Sequence, residues 1–281
     1  MSSLFIALQH ILPQHALSRL AGSLAASETP WLRDALIRRF ARAYGVDLSE
    51  AARGIGEFAS FNDFFTRELK PGVRPLADAG QFILSPADGA VSQLGPVSGG
   101  RIIQAKGRDY SVAEILGCGP DEAARFEGGS FITIYLSPKD YHRVHMPAAG
   151  TLAATSYIPG DLYSVNVATA AGVDRLFARN ERLACRFDGP DGHFASIMVG
   201  AMIVAGIDTV WPNRFRTHAH APVHEDFAGQ GRSFAAGDEM GRFYLGSTVV
   251  LLFEPGRVAW RKDLKAGDPL RMGEAIAQRL S

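Results

Sequence analysis

Hydrophobic positions in the first 45 residues recur at the spacing of α-helices. One stripe runs through residues 4–12 and a second through residues 16–24. A third follows Thr29, which is a suitable N-cap, and has Pro30 at the first helical position. It ends at Gly45, a residue that commonly closes a helix in the left-handed conformation. The pattern therefore predicts a helical N-terminal segment.

The pattern changes to that of β-strands from about Phe82 onward. On the N-terminal side of Phe82, Ser60 precedes a predicted short helix with the sequence FNDFFTREL. On its C-terminal side, residues 211–236 lack a regular pattern, which predicts a long loop. The later part is a series of short Val- and Ile-rich runs separated by Gly, Pro and Asp, which include FILSPADGAVSQLG, RIIQAKG, SFITIYLS, FASIMVGAMIVAGI and STVVLLF. We expect an α+β protein, with helices in residues 1–45 and a β-rich, barrel- or sandwich-like body in residues 46–281.

No segment is apolar for long enough to span a bilayer. The longest apolar stretch, residues 195–207, has thirteen residues, whereas a spanning helix needs about 20. The N-terminus also lacks the features of a secretory signal. Residues 1–45 carry five arginines against two acidic residues, and their first two stripes are nearly uncharged. These helices fit an amphipathic segment on an anionic membrane surface, or an ordinary helical cap on a globular core.

Composition narrows the class of protein further. The 281 residues are 47% hydrophobic and 21% charged, which indicates a folded globular chain. The formal net charge of zero argues against a nucleic-acid-binding protein with a broad basic surface. Cys118 and Cys185 cannot form a disulfide framework, and they fit a reducing compartment.

Three segments contain residue types that carry chemistry. They are SPADG with Asp88, YHRVHMP with His142 and His145, and LGST with Ser247. A serine nucleophile needs a base, and a histidine base needs a group that fixes its tautomer. Each segment also has a structural explanation, because Asp-Gly and Gly-Ser steps are common in turns. A zinc site at the two histidines is weakly supported, since helical zinc pairs prefer a spacing of four.

These residues leave at least two functions open. One is a Ser-His-Asp lipid hydrolase with an uncleaved chain, although the G-x-S-x-G motif of α/β-hydrolases is absent around Ser247. The other is a non-enzymatic lipid-binding β module with a helical anchor.

His218, His220 and His224 form a histidine-rich stretch, for which solvated loop histidines are a simpler explanation than a metal site.

The ordered set of sequence segments resembles the phosphatidylserine decarboxylase family, in its short bacterial, membrane-associated form with an LGST cleavage motif. The resemblance covers nearly the whole chain and rests on the segments ILPQHALSRLAG, FNDFFTREL, VRPL, SPADGAVSQLG, QAKGRDYS, YLSPKDYHRVHMP, YIPGDLYSVN, LFARNERL, VGAMIVAGI and EMGRFYLGSTVVLLF.

The resemblance implies that the chain cuts its own backbone between Gly246 and Ser247. The Ser247 hydroxyl would attack the preceding carbonyl to give an ester, and elimination followed by hydrolysis would leave a pyruvoyl group at the new N-terminus. The products would be a beta chain, residues 1–246, and an alpha chain, residues 247–281. The pyruvoyl group would then form a Schiff base with the amine of phosphatidylserine and accept electrons as carbon dioxide leaves, giving phosphatidylethanolamine.

Roles for individual residues follow from the same resemblance. His145 would be the base that activates Ser247, and Asp88 would orient His145. His142 would return a proton or hold the substrate carboxylate during decarboxylation, or else would make only a structural hydrogen bond. Ser164 in DLYSVN would line the substrate pocket. This chemistry leaves no role for a metal.

The resemblance also implies the surroundings of the enzyme. The substrate is a lipid, so we expect a peripheral protein on the cytoplasmic face of the cell membrane, bound through residues 1–45 to an anionic surface. It further implies a homodimer of cleaved protomers and no nucleic-acid partner.

Overall fold

The computed structural model describes residues 14–201, 206–215, 220–244 and 247–280. The predicted helix in residues 4–12 lies outside them. The next two helices are confirmed, as α1 (Gln14–Ala25) and α2 (Pro30–Tyr44). Thr29 is the N-cap of α2, and Gly45 ends it with φ 68° and ψ 41°, the left-handed conformation that suits glycine.

Short helices follow before and between the strands. They are α3 (Phe61–Phe65), α4 (Val112–Leu116), α5 (Pro120–Ala123), α6 (Val167–Gly172) and α7 (Leu176–Arg179), with 3-10 turns at Leu48–Glu50, Ile55–Glu57 and Ala124–Phe126. The side chain of Ser60 caps α3 by accepting a hydrogen bond from the backbone N–H of Asp63, as its position before FNDFF predicts.

Strands make up most of the remaining described chain. They are β1 (Phe82–Leu84), β2 (Gly89–Pro96), β3 (Arg101–Ala105), β4 (Arg108–Ser111), β5 (Ser130–Leu136), β6 (Arg143–His145), β7 (Gly150–Ile158), β8 (Arg182–Gly189), β9 (Gly192–Gly200), β10 (Gly206–Thr209), β11 (Val223–Asp226), β12 (Ser233–Phe234), β13 (Glu239–Tyr244), β14 (Ser247–Phe253), β15 (Val258–Trp260), β16 (Pro269–Leu270) and β17 (Ala275–Arg279).

One large antiparallel sheet organises the body. Its strand order is β11-β7-β8-β9-β14-β5-β2-β16, and β12 also pairs with β7. The smaller sheets are β1-β17-β15, β10-β13-β6 and the hairpin β3-β4. Strand β14 lies between β9 and β5 and is buried along its whole length. Its continuous apolar run STVVLLF fits a strand that is covered on both faces.

The two faces of the large sheet contact different hydrophobic clusters. Val249 and Leu251 of β14 belong to one cluster, which also contains side chains of the sheets β1-β17-β15 and β10-β13-β6. Val250 and Leu252 belong to the other, with side chains of α4, α6, α7 and the β3-β4 hairpin. This alternation follows from the two-residue period of a strand. The central sheet is therefore packed between small sheets on one face and helices on the other.

A third hydrophobic cluster belongs to the N-terminal part of the chain. It joins Ile37 and Ala41 of α2 to Phe58 and to the phenylalanines of α3. The Phe40 ring packs edge-on against Phe61, with centroids 5.1 Å apart. This cluster contains residues on both sides of position 45, and the division of the chain at that position stays a prediction.

The expected fold class is confirmed in its coarser form. The protein is a strand-rich mixture of helices and strands, with small helices at the N-terminus. The described strands form open sheets, and no closed barrel is seen among them. Within the ranges given above, no helix is long and apolar enough to cross a membrane.

The predicted long loop at residues 211–236 is wrong in part, because β11 and β12 lie within it and pair with β7. Residues of β11 alternate between half-buried and exposed. The strand is therefore held at the sheet edge by backbone pairing, and it lacks the apolar run by which a buried strand is recognised.

Candidate active site

Ser247 begins the central strand of the large sheet. It pairs with Leu136 of β5 on one side and with Gly200 of β9 on the other, and it is fully buried. The other residue of the predicted cleavage site, Gly246, lies outside the described residues. The hydroxyl of Ser247 therefore lies in an environment, paired on both sides, that excludes bulk water.

A tight turn after β5 returns the chain to Ser247. The carboxylate of Asp140 accepts hydrogen bonds from the backbone N–H and the hydroxyl of Ser137, both at 2.7 Å. The backbone N–H of Asp140 donates to the carbonyl of Ser137 at 2.9 Å. Burial raises the pKa of Asp140. Residues 137–140 thus form a closed, hydrogen-bonded turn that leads directly to His142.

His142 contacts the hydroxyl of Ser247. Its Nδ1 lies 3.4 Å from Oγ, a long hydrogen bond of the kind seen before a reacting group is fully aligned. Its Nε2 lies 3.1 Å from the carbonyl oxygen of Ser137. A carbonyl only accepts, so Nε2 carries the proton and Nδ1 offers a lone pair to the Ser247 hydroxyl. This is the tautomer that a base for Ser247 requires.

The surroundings of His142 keep its ring neutral. The side chain is completely buried, and the Phe65 ring stacks on it with centroids 4.0 Å apart. Burial, with a smaller contribution from the charge of Arg67, lowers the pKa of His142 to about 3. His142 therefore holds its lone pair free of a proton throughout the physiological range.

His145 has a different set of partners. Its Nδ1–H donates to the carbonyl of Gly237 at 2.8 Å, and the hydroxyl of Tyr141 donates to Nε2 at 3.1 Å. Burial lowers the pKa of His145 and raises that of Tyr141 to about 12. Both ring nitrogens of His145 are thus engaged away from Ser247 among the described contacts.

Asp88 lies in a buried ion pair. Arg74 donates from Nε and Nη2 to its carboxylate, the latter at 2.5 Å, and the backbone N–H of Met272 donates at 2.8 Å. Arg74 also binds Glu50 through Nη2 at 2.7 Å. Asp88 is followed by Gly89, where a larger residue would not fit, because a Cβ at this position would lie 2.4 Å from the carbonyl oxygen of Tyr135. Close approach of β2 to β5 therefore fixes the position of Asp88.

The structure brings part of the predicted constellation together. His142 and Ser247 are in contact, whereas the hydrogen bonds described for Asp88 and His145 join them to other residues. Ser164 is half-buried between β7 and α6, and its role in substrate binding stays a prediction.

Four residues near the site have no role predicted from the sequence. Phe65, Arg67, Arg74 and Tyr141 were given no role, although each lies in a segment that carries the family resemblance: FNDFFTREL, VRPL or YHRVHMP. Their placement in those segments was the available signal. What was missing was the fold, which brings residues far apart in sequence beside His142 and Asp88.

The histidine-rich stretch is described only in part. His218 lies outside the described residues, and Nδ1 of His224 on β11 lies 2.9 Å from the hydroxyl of Ser156. Among the residues that the structure describes, no three metal-binding side chains gather in one place.

In this strand-rich body a buried serine is hydrogen-bonded to a neutral histidine. This is the arrangement of a protein that uses a serine hydroxyl as a nucleophile. Comparison with known proteins gives the family. The family model described as "Phosphatidylserine decarboxylase" matches residues 61–278, and a second one described as "PSD" matches residues 4–45. The chain belongs to the phosphatidylserine decarboxylase family.

Full-length relatives support the assignment to this family. A protein of Saccharophagus degradans is 54% identical over 278 residues, which cover 98% of this chain and 97% of the relative. One of Chromobacterium violaceum is 54% identical over 277 residues, with 98% of each chain covered. One of Pseudomonas fluorescens is 51% identical over 288 residues, again with 98% of each covered. All three are named phosphatidylserine decarboxylase proenzyme.

Proposed function

We propose that the protein decarboxylates phosphatidylserine to phosphatidylethanolamine after cutting its own chain between Gly246 and Ser247. One observation carries the proposal: a completely buried serine at the start of the central strand is hydrogen-bonded to a neutral imidazole. The relatives described above are named proenzymes of this decarboxylase, which supports processing of a precursor. None of those three names favours the alternative of a lipid hydrolase with an uncleaved chain.

Self-cleavage requires three changes at Ser247. Its hydroxyl loses a proton to a base and attacks the carbonyl carbon of Gly246, which converts the amide into an ester. A base then removes the α-hydrogen of Ser247, and the carboxylate of Gly246 leaves as the end of residues 1–246. This elimination leaves dehydroalanine at residue 247. Water then hydrolyses it, which releases its nitrogen as ammonia and leaves the carbonyl of the pyruvoyl group. Burial supports this sequence, because a dry site prevents early hydrolysis of the ester.

Two assignments of the base are open to test. The sequence-based prediction is His145, oriented by Asp88. The contact of His142 with the Ser247 hydroxyl supports a second assignment, in which Nδ1 of His142 accepts the proton and the Ser137 carbonyl fixes the tautomer. His145 would then hold Tyr141 and the Gly237 segment in place.

The residues at Ser247 fit a pyruvoyl group, since a buried serine beside a base is the precursor that such a group needs. When present, the group would supply the carbonyl that condenses with the substrate amine and withdraws electrons as carbon dioxide leaves. His142 contacts this position, and it would return a proton to the substrate once its Nδ1 has itself accepted one. Ser164 would line the pocket for the rest of the headgroup.

The N-terminal helices would bring the site to the membrane. Large apolar side chains are exposed on α1 and α2, among them Leu20 at 62% and Trp31 at 73%. Exposed apolar groups beside several arginines support peripheral binding to an anionic membrane surface. The cytoplasmic face of the cell membrane is what the family resemblance implies. We also propose a homodimer of cleaved protomers, as the family resemblance implies.

The mass of the purified protein tests the proposal most directly. We expect two chains, residues 1–246 and 247–281, with the smaller one lacking a free amine, and release of carbon dioxide from phosphatidylserine. Ser247→Ala should remain one chain and be inactive. An active protein that consists of a single intact chain would refute the proposal and favour the hydrolase.

A further inference from the structure

Two arginines of this protein are equally buried but differ in their partners. Arg67 and Arg182 are each 4% exposed. Arg182 uses all three side-chain nitrogens, which donate to the carbonyls of Ile115, Asn180 and Glu114. It shows how a structural arginine is satisfied in this fold.

Arg67 uses one of its three side-chain nitrogens among the described contacts. Only Nη2 donates, to the carbonyls of Lys139 at 3.3 Å and Asp140 at 3.5 Å. Its Nε and Nη1 have no partner among the described residues. A buried cation with unmet hydrogen-bonding capacity is costly, and an anionic ligand is one way to offset that cost.

A cavity of about 480 Å³ lies beside Arg67. Its wall includes Gly45 and Asp47 from the end of the N-terminal helices, and Ser137 and Tyr141 from the site loop. The cavity therefore lies between the end of the proposed membrane-binding segment and the loop that leads to His142.

The acidic side chains in the wall already have partners. Asp88 and Glu50 bind Arg74, Asp140 binds Ser137, and Asp47 accepts from Ser49. Two of the four cationic side chains in the wall, Lys139 and Arg271, are exposed. Arg74 and Arg271 pair with acidic side chains, whereas buried Arg67 donates to backbone carbonyls and lies over the Phe64 ring. Arg67 is therefore the buried cation of the wall that has no ion pair with an acidic side chain among the described contacts.

We infer that Arg67 binds the phosphate of the phosphatidylserine headgroup, an inference that rests on the proposed function. Arg67 donates to the carbonyls of Lys139 and Asp140, in the turn that leads to His142, and His142 contacts Ser247. In the lipid, one oxygen and two carbon atoms separate the phosphorus from the reacting amine. A phosphate at Arg67 would thus leave the amine within reach of residue 247.

The chemistry favours the phosphate over the carboxylate of the same headgroup. The carboxylate loses its charge as carbon dioxide leaves, so a tight pair with arginine would stabilise the ground state and slow the reaction. The phosphate keeps its charge throughout. Nε and Nη1 are shielded in the described conformation, so the guanidinium must turn to bind. Its two long hydrogen bonds would be exchanged for shorter, charge-assisted ones.

Binding to the full-length Ser247→Ala precursor tests this inference without any catalytic step. The probes are glycerophosphoserine, O-methylserine, which lacks the phosphate, and inorganic phosphate, each titrated by calorimetry. We expect Arg67→Gln to weaken glycerophosphoserine binding roughly ten- to hundredfold and to leave O-methylserine unchanged. Arg67→Lys should restore part of the affinity. Stronger binding of glycerophosphoserine than of inorganic phosphate would identify the headgroup as the ligand, and the reverse would overturn that assignment.

The matched control is Arg182→Gln, which removes an equally buried arginine away from the cavity. A purely structural role for Arg67 would make both variants alter the two serine probes in proportion, and that result would overturn the inference. So would unchanged glycerophosphoserine binding by Arg67→Gln. The proposed function fails separately, if the unaltered protein releases no carbon dioxide from phosphatidylserine.

Discussion

The ring of Phe65 lies on the imidazole of His142, with centroids 4.0 Å apart and planes inclined by 25°. Phe65 belongs to α3, and its ring also packs against Phe40 of α2, at 5.8 Å. The helix α2 is therefore connected through Phe65 to the side chain that binds the Ser247 hydroxyl. Packing in the helical part can thus determine the orientation of a reacting group in the sheet.

Replacement of Phe65 by leucine should slow self-cleavage. Leucine keeps the site apolar but removes the flat surface that holds the imidazole, an interaction worth about 0.5–1.5 kcal/mol beyond burial. We expect the conversion of precursor into two chains, followed by gel electrophoresis, to slow by roughly three- to tenfold. Phe58→Leu is the control, because Phe58 is equally buried and contacts Phe64. A matching loss of rate in Phe58→Leu would mean that stability alone is responsible.

Separate alanine variants of the two histidines distinguish the candidate bases. If His142 accepts the Ser247 proton, His142→Ala should reduce the cleavage rate by about 10²- to 10⁴-fold, the usual contribution of a general base. His145→Ala should then have a smaller effect, through loss of its bonds to Tyr141 and Gly237. The measurement is the rate of precursor loss by intact mass. The opposite order would support the sequence-based assignment of His145 and Asp88.

The sequence was sufficient for the elements that carry strong local signals. The cap residues Thr29 and Gly45 set the ends of α2, and the run STVVLLF identified β14. The sequence grouped Asp88, His142, His145 and Ser247 as site residues, whereas the contacts that each of them makes depend on the fold. His142 and His145 are three residues apart, and the turn at Ser137 and Asp140 decides which of them faces Ser247. The hydrogen bonds of this turn are local, but its orientation is set by the pairing of β5 with β14. The partnership of Arg74 with Asp88 likewise exists only once the chain is folded.

Burial of neutral His142 should make the precursor less stable in acid. Its pKa is about 3 in the folded protein, against an ordinary value of 6.5. Between these values the unfolded chain binds a proton that the folded chain excludes, so stability rises with pH across the window and falls on acidification. In Ser247→Ala, we expect His142→Gln to reduce this dependence by about one proton between roughly pH 4.5 and 5.5, and by about half a proton at pH 6.5. Urea unfolding at several pH values gives the slope, and an unaltered slope would contradict the buried neutral state.

The ion pair of Arg74 with Asp88 should matter far more than those on the surface. Their side chains are 7% and 9% exposed, so loss of Arg74 leaves a buried carboxylate without its main partner. We expect Arg74→Met in the Ser247→Ala background to lower the free energy of unfolding by about 3–5 kcal/mol. Arg101 pairs with Asp109 at the surface, with side chains 45% and 46% exposed, and Arg101→Met should cost less than about 1 kcal/mol. Equal losses in urea unfolding would show that burial of the first pair has no energetic consequence.

Membrane binding should depend on exposed apolar side chains of the N-terminal helices. Leu20 and Leu24 lie one turn apart on the same side of α1 and are 62% and 50% exposed, and Trp31 at the start of α2 is 73% exposed. Their transfer into a bilayer interface would remove a large apolar area from water. We expect the full-length double variant Leu20→Ser/Trp31→Ser to bind anionic vesicles at least about tenfold more weakly in co-sedimentation.

The control for this variant is Ile103→Ser, which removes a side chain that is 52% exposed on β3, outside the N-terminal helices. It should bind vesicles as the unaltered protein does. All three positions are exposed, so none of these substitutions should change folding by more than about 0.5 kcal/mol. Added salt should weaken binding further, because arginines of residues 1–45 would contribute through attraction to anionic headgroups. If the double variant sediments with vesicles as completely as the unaltered protein, the contact with the bilayer lies elsewhere on the molecule.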